Sequence, residues 1–164
     1  MSGVTHRPVV AAAILDSLES PTRLLCASRA YPAALAGLFE LPGGKVEPGE
    51  SPSGALGREI AEELATSLIL GPEVAAPDGG WWPILEGRRM AVWLARIADG
   101  APAPRRGPSH RELRWVPLDR LDALDWIGAD RPIVRAAVRV ARTRSASPGA
   151  DPGAHGPALG RGRI

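Results

Sequence analysis

The stretch GKVEPGESPSGALGREIAEELAT, Gly44 to Thr66, decides how the rest of the chain is read. Ser51 followed by Pro52 is a helix start: a serine oxygen can cap a free backbone N–H, and the fixed φ of proline suits the first turn. The helix runs from residue 52 to about Ala65, although Gly54 and Gly57 weaken it by roughly 1 kcal/mol each relative to alanine. Along it Glu59, Glu62 and Glu63 fall at i, i+3 and i+4 and share one arc, while Leu56, Ile60 and Leu64 form the neighbouring arc. The apolar arc would dock the helix on a sheet and turn the carboxylates towards a cleft. Like charges so close repel one another unless a cation neutralises them, and hard magnesium with its preference for oxygen is the natural partner. An isolated E-x-x-E-E is usually no more than a solvated helix face. The residues upstream change that reading. Pro42, Gly43 and Gly44 allow a tight turn and a close backbone approach, and Pro48 and Gly49 make a second turn ahead of Glu50.

Working outward, Val9 to Leu15 and Arg23 to Ser28 read as strands around the turn-rich Glu19, Ser20 and Pro21, and a loop over 30–37 leads into LFELPGGK. Downstream come SLIL, then WWPILE and RMAVWLARIA, the last two forming a hairpin around Glu86, Gly87 and Arg88. A Pro/Gly/Arg loop spans Gly100 to Pro108. LRWVPL then makes a last strand and LDRLDAL a short helix. A terminal helix from Pro132 to Arg144 places Ile133, Val134, Ala137, Val138 and Ala141 near one face. Strands interleaved with helices predict an α/β fold, a single domain over residues 1–144. From Ser145 the chain reads SASPGADPGAHGPALGRGRI, a composition that buries too little apolar surface to offset the entropy of ordering, so residues 145–164 are expected to be a disordered tail.

Bulk properties agree with an ordinary globular chain of 164 residues, 45% hydrophobic. The formal charge of +2, from 20 basic and 18 acidic residues, is too small to imply stable nucleic-acid binding. The single cysteine, Cys26, can form neither an internal disulfide nor a metal cluster; it fits a reducing compartment and reads as core rather than catalyst. The apolar stretch Pro8 to Leu15 is short for the core of a signal peptide. No run approaches the roughly 20 apolar residues a bilayer demands, so no membrane partner and a cytoplasmic location are the expectation. Lys45 is the only lysine in the chain and lies inside the opening stretch.

Gly44, Glu50, Arg58, Glu59, Ile60, Glu62 and Glu63 match the Nudix box, G-x(5)-E-x(7)-R-E-U-x-E-E-x-G-U with U a bulky aliphatic residue. Six of these positions demand one residue type. At roughly 7% usage each, a chance match arises on the order of once in ten million starting positions. The chain therefore resembles the Nudix hydrolases, and from about Val9 to Val140 their MutT-like members. The resemblance implies an α/β/α sandwich with a mixed sheet and a catalytic loop-helix. The box ends differently here: Ala65 stands for its glycine and Thr66 for its aliphatic residue. The missing glycine normally ends the helix at positive φ, which costs alanine on the order of 1 kcal/mol, so a changed helix exit is expected.

By similarity to that family, Glu59, Glu62 and Glu63 with the Gly43 carbonyl would bind Mg2+, with Mn2+ as a substitute. Glu50 would assist directly or through water. Arg58 would reach Glu62 at i+4 and hold the carboxylates in place, while Lys45 and Gly44 would serve the phosphates. Metal-activated water would then cut a nucleoside triphosphate to a monophosphate and pyrophosphate. MutT-like proteins commonly carry another acid six residues before the tryptophan of the late strand. Trp115 puts that position at Ser109, with Glu112 as a stand-in that would point elsewhere, so the general base is open.

LLCASRAYPAALAGLFELPGGKVEPGE and HRELRWVPLDRLDALDWIGADRPI look like the bacterial CTP-hydrolysing branch. Where the guanine-oxidation branch reads the base with asparagine, this chain has Asp130. An ionised carboxylate only accepts hydrogen bonds, which suits the exocyclic amine of cytosine. The same aspartate, ahead of Arg131 and Pro132, also suits a helix N-cap. Phe39, Trp82 and Trp126 are candidates to stack on the base or to fill the core, and His110 suits either a loop hydrogen bond or a substrate contact. Of two substrate readings, cytosine nucleotides come first and 8-oxo-dGTP second. A nucleotide-sugar or dinucleotide hydrolase ranks below them because the flanking segments resemble MutT-like members, and a non-catalytic nucleotide sensor because the carboxylates are intact and no DNA-binding domain is seen to carry a signal.

Overall fold

The computed structural model describes residues 6–147. β1 (Val9–Leu15), β2 (Arg23–Arg29), β3 (Phe39–Glu40) and β4 (Gly43–Lys45) precede α1 (Pro52–Leu64). β5 (Leu68–Glu73), β6 (Trp82–Pro83), β7 (Arg89–Ile97) and β8 (His110–Pro117) follow, and α2 (Asp130–Ala146) closes the described chain. The sheet is mixed. β1 and β7 run parallel along their whole length, Val9 opposite Met90 to Leu15 opposite Arg96, and every other pairing between strands is antiparallel. The central order is β3-β2-β1-β7-β5, with β8 on β2, β4 on β1 and β6 on β7.

Alternation along β1 accounts for the layers. Val10, Ala12 and Ile14 turn to one face and pack with Leu56, Ile60 and Leu64 of α1. Ala11, Ala13 and Leu15 turn to the other and pack with Ile133, Val134, Ala137 and Ala141 of α2. With both faces covered, the strand reads as a continuous apolar run, as central strands of an α/β/α sandwich do. The apolar arcs expected on both helices are the buried ones; α2 buries Ala136 as well, and Val138 is half-buried. Cys26 lies in the α2-side core, where burial pushes its thiol up to about 12, as befits a packing residue.

β1 and β2 pair only at Leu15 and Leu24. Towards the start of β1 and the end of β2 they splay, β1 taking β4 as partner and β2 taking β3. That splayed end holds the cleft described below.

Several elements differ from the sequence expectation. β8 starts three residues before LRWVPL, because β2 extends to Arg29 and pairs it with His110 across a bulge. LDRLDAL forms only a three-residue 3-10 turn, Leu121–Ala123. The hairpin before β7 is short, β6 being two residues long, and its turn carries Glu86 and Gly87 at positive φ. α2 starts at Asp130 and continues through Ser145 and Ala146, beyond the expected end at Arg144; of the tail expected over 145–164, residues 148–164 lie outside the described residues.

The helix exit is unchanged where a change was expected. Ser51 caps α1 by accepting from Gly54 N at 3.1 Å, and Pro52 fills the first turn. At the other end Ala65 adopts φ 53°, ψ 38°, the left-handed conformation that the box reserves for glycine. Thr66 is buried and its hydroxyl donates to the Pro102 carbonyl at 2.5 Å, while Arg105 N donates to Leu64 O at 2.8 Å. The 100–108 loop thus clamps the exit and offsets the cost of the alanine. That cost is about 1–2 kcal/mol, less about 0.4–1 kcal/mol for the greater freedom of glycine in the unfolded chain. Ala65→Gly should therefore stabilise the protein by up to about 1 kcal/mol in urea denaturation; a destabilised variant would refute the strain.

Candidate functional site

The glycines bring the loop against the helix. A Cβ on Gly43 would sit 1.9 Å from Val10 O, and one on Gly44 would sit 2.2 Å from the carboxyl carbon of Glu59. Position 43 must be bare for β4 to lie against β1, and position 44 must be bare for Glu59 to fold over the loop. Ala12 N donates to Pro42 O and Val46 N to Pro8 O, both at 2.9 Å, so residues 42, 44 and 46 occupy the bonded positions opposite β1. Gly43 and Lys45 lie between them and turn their N–H and C=O groups away from β1. The Lys45 carbonyl accepts from Arg58 Nη2 at 3.1 Å, so this outward side faces α1, and the Gly43 carbonyl points the same way.

Arg58 organises the carboxylates, though not mainly through Glu62 as the i+4 spacing suggests. Its Nε and Nη2 grip both oxygens of Glu50 at 2.8 and 3.0 Å, its Nη1 donates to Glu59 at 3.0 Å, and Glu62 stands at 3.5 Å. Glu50 also accepts from Glu47 N at 3.0 Å. With both oxygens engaged and its carboxyl held below the ordinary range by Arg58, Glu50 is placed as a brace between the loop and the helix.

Glu59, Glu62 and Glu63 follow one face of α1, Glu62 being the most exposed. As the side chains stand, no group of three acids or histidines converges closely enough to hold a metal ion among the described residues. The donor chemistry nonetheless fits a hard divalent cation: carboxylate oxygens beside an outward-turned carbonyl, with no sulfur or nitrogen among the proposed donors. Burial pushes Glu63 up to about 7 against the pull of the His110 ring, and the Glu59 and Glu40 charges add to the rise. A cation would relieve that crowding.

Next to these groups, in the splayed end of the sheet, lies a cleft of about 410 Å³. Gly43, Gly44, Lys45 and Glu63 line one part of it, and Ile127, Ala129 and Asp130 another. Lys45 is exposed on the rim. Asp130 is not a helix cap. α2 begins at Asp130 itself with Ala129 at the capping position, and the aspartate turns its buried carboxylate across the fold to accept from Leu41 N at 2.8 Å through Oδ2. Burial pushes its carboxyl up to about 7, opposed by that hydrogen bond and reinforced by the Glu40 charge.

Phe39 does not line the cleft. It is buried against Trp126, ring centres 6.2 Å apart, with the Arg114 guanidinium 5.5 Å over its ring. Trp126 and Trp82 are likewise core, each indole N–H donating to a backbone carbonyl at 2.7 Å. All three pack into the α2-side core and none of them lines the cleft. Ser109 lines the cleft, whereas Glu112 pairs with Arg114 at 2.7 Å on the opposite sheet face from α1 and cannot stand in for the missing acid.

Sequence reasoning missed Arg29, Glu40 and the setting of His110. Arg29 and Glu40 flank the 30–38 loop, pair at 3.2 Å and both line the cleft. His110 is fully buried at the start of β8, its Nε2 3.4 Å from Glu40 and 4.0 Å from Glu63. No spacing rule points to them, since they meet only through the β2–β3 and β2–β8 pairings.

A family model described as NUDIX domain matches residues 5–137. A Mycobacterium tuberculosis protein provisionally named 8-oxo-dGTP diphosphatase 2 is 37% identical over 125 residues, 75% of this chain and 82% of its own length. The CTP pyrophosphohydrolase of Escherichia coli is 33% identical over 127 residues, 76% of this chain and 90% of its own. The solution structure of the E. coli ORF135 protein superposes with a TM-score of 0.66 at 30% identity, covering 86% of this chain and 94% of that one. Nudix hydrolases generally use divalent metal ions, in keeping with the oxygen donors gathered along α1. Box, fold and relatives agree, and the chain belongs to the Nudix family of hydrolases.

Proposed function

We propose that this hydrolase is a magnesium-dependent nucleoside triphosphate pyrophosphohydrolase that releases a nucleoside monophosphate and pyrophosphate and prefers cytosine nucleotides: CTP, dCTP or modified forms. The observation that carries the base preference is the single free oxygen of Asp130. Leu41 N occupies Oδ2, which leaves Oδ1 to meet the base at one point. When ionised, that oxygen accepts from the exocyclic amine of cytosine; when protonated, it can donate to the adjacent ring nitrogen. An ionised carboxylate has no donor to offer the O6 carbonyl of a guanine edge. The likeness to a CTP pyrophosphohydrolase over 90% of its length supports the same reading.

Glu59, Glu62, Glu63 and the Gly43 carbonyl would hold the cation, with Mn2+ as a substitute for Mg2+. When bound, it supplies neutralisation of the polyphosphate and an activated water. Arg58 and Glu50 act as positioning residues: the guanidinium keeps Glu59 and Glu62 on the loop side of α1, and Glu50 anchors the guanidinium. Lys45 and the bare backbone at Gly44 would face the phosphate chain. We place the enzyme in the cytoplasm as a single domain over residues 1–144. No described helix is long and apolar enough to cross a membrane.

The second reading is an 8-oxo-dGTP diphosphatase, favoured by the 37% identity to the M. tuberculosis protein. Steady-state kcat/KM with magnesium on CTP, dCTP, 5-methyl-dCTP and 8-oxo-dGTP separates the two. The cytosine nucleotides are expected to lead, and a clear preference for 8-oxo-dGTP would sink the Asp130 assignment.

Glu62→Gln is expected to lower kcat by about a hundredfold or more, a loss typical of removing a major electrostatic group from an active site. The thermal midpoint should stay near that of wild type, because the Glu62 side chain is 60% exposed. Undiminished turnover would remove Glu62 from the metal set.

Asp130 also predicts a pH effect on stability. A carboxyl whose pKa rises on folding holds its proton more tightly in the folded chain, so its contribution is fully present below about 3.8 and is lost as pH climbs towards about 7. In urea denaturation Asp130→Asn should therefore match wild type at pH 4 and exceed it at pH 8. Equal stability at both would show that Asp130 ionises freely in the folded protein.

A further inference from the structure

Seven aromatic residues are present, one Phe, one Tyr and five Trp, and only Tyr31 lines the cleft. Phe39, Trp82 and Trp126 belong to the α2-side core, while Trp81, Trp93 and Trp115 pack partly buried against the α1-side core. Tyr31 is also 56% exposed, an unusual state for a large aromatic ring beside polar cleft walls. Leu35 and Ile84 add apolar surface to the same lining.

The ring is presented from a braced backbone. Arg29 Nε donates to the Tyr31 carbonyl at 3.0 Å, and the other arm of the same guanidinium pairs with Glu40 at 3.2 Å. On either side, Ala30 N donates to Ser109 O and Gly37 N to Arg29 O, both at 2.9 Å. The loop is therefore closed on itself and tied to β8 before any ligand arrives. A platform ordered in advance loses little entropy on binding.

We infer that Tyr31 is the platform on which the nucleobase stacks, so that it sets affinity for the nucleoside while leaving the identity of the base to the polar groups deeper in the cleft. Every base offers a π face, so a stacking contact strengthens binding with little regard to hydrogen-bonding pattern. This assignment rests on the cleft taking a nucleotide, and it holds whichever base is preferred.

The test compares wild type with Tyr31→Ala and Tyr31→Phe. The readouts are steady-state kinetics on CTP and 8-oxo-dGTP, calorimetric binding of CMP, and inhibition by inorganic tripolyphosphate, which has no base. Tyr31→Ala is expected to raise KM for both nucleotides and to weaken CMP by about tenfold, the usual size of one lost stacking contact. Tripolyphosphate inhibition should be unchanged, and Tyr31→Phe should behave as wild type. Unaltered KM and CMP affinity in Tyr31→Ala would overturn the assignment, as would an equal loss of tripolyphosphate inhibition, which would mark a general disturbance of the site. A wild-type preference for 8-oxo-dGTP overturns the cytosine reading alone; the Tyr31 assignment is decided by the alanine shift.

Discussion

The absence of a side chain at residues 43 and 44 is the constraint on which the rest of the site depends. A single added carbon at 43 would run into the β1 backbone, and one at 44 would run into the Glu59 carboxylate. Because both positions are bare, a three-residue strand can lie against β1 and still leave room for an acidic helix to fold over it. The outward carbonyls, the guanidinium of Arg58 and the carboxylates of α1 then share one small volume. Substituting either glycine would displace several groups at once, since each is positioned by the next.

Charge is handled in that volume by a chain of compensations. Glu50 gives Arg58 a fixed seat, Arg58 partly neutralises Glu59 and Glu62, and Glu63 is left facing His110, Glu40 and the cleft. One residue of the helix therefore remains under electrostatic stress, with its carboxyl raised to about 7 by burial and neighbouring acids. Such stress is common where a site is built to receive a ligand of opposite charge. The same logic recurs at Asp130, which also lines the cleft, buried with a single backbone hydrogen bond. Arg29 and Glu40, in the same lining, act on the charge of both Glu63 and Asp130, so one ion pair links the two buried acids.

The departures from the family box fall where the fold can absorb them. Ala65 keeps the left-handed helix exit because Thr66, Arg105 and the 100–108 loop tie the chain down immediately after it. The loop is linked to the site by more than this, since Gly107 lies close to the Glu63 carbonyl. Thr66, polar where the box has an aliphatic residue, is buried with its hydroxyl hydrogen-bonded to the Pro102 carbonyl.

Local pattern alone determined the α/β class, the limits of α1 to within a residue, its apolar face and the acidic face beside it. Each depends on 3.6-residue periodicity, on a Ser-Pro start and on the spacing of a short motif, all properties of contiguous chain. Only the tertiary structure decided which side chains share the cleft. Phe39 and Tyr31 are eight residues apart and equally aromatic, yet one is core and the other stands in the cleft, because β3 turns Phe39 to the α2 side while the loop before it carries Tyr31 outward. Of the two roles Asp130 suited in the sequence, base contact and helix cap, the fold excludes the cap for a similar reason: Leu41, 89 positions away, offers a backbone N–H that only the folded sheet brings within reach. Arg29, Glu40 and the setting of His110 stayed invisible because strand pairing, which no local pattern encodes, is what brings them together.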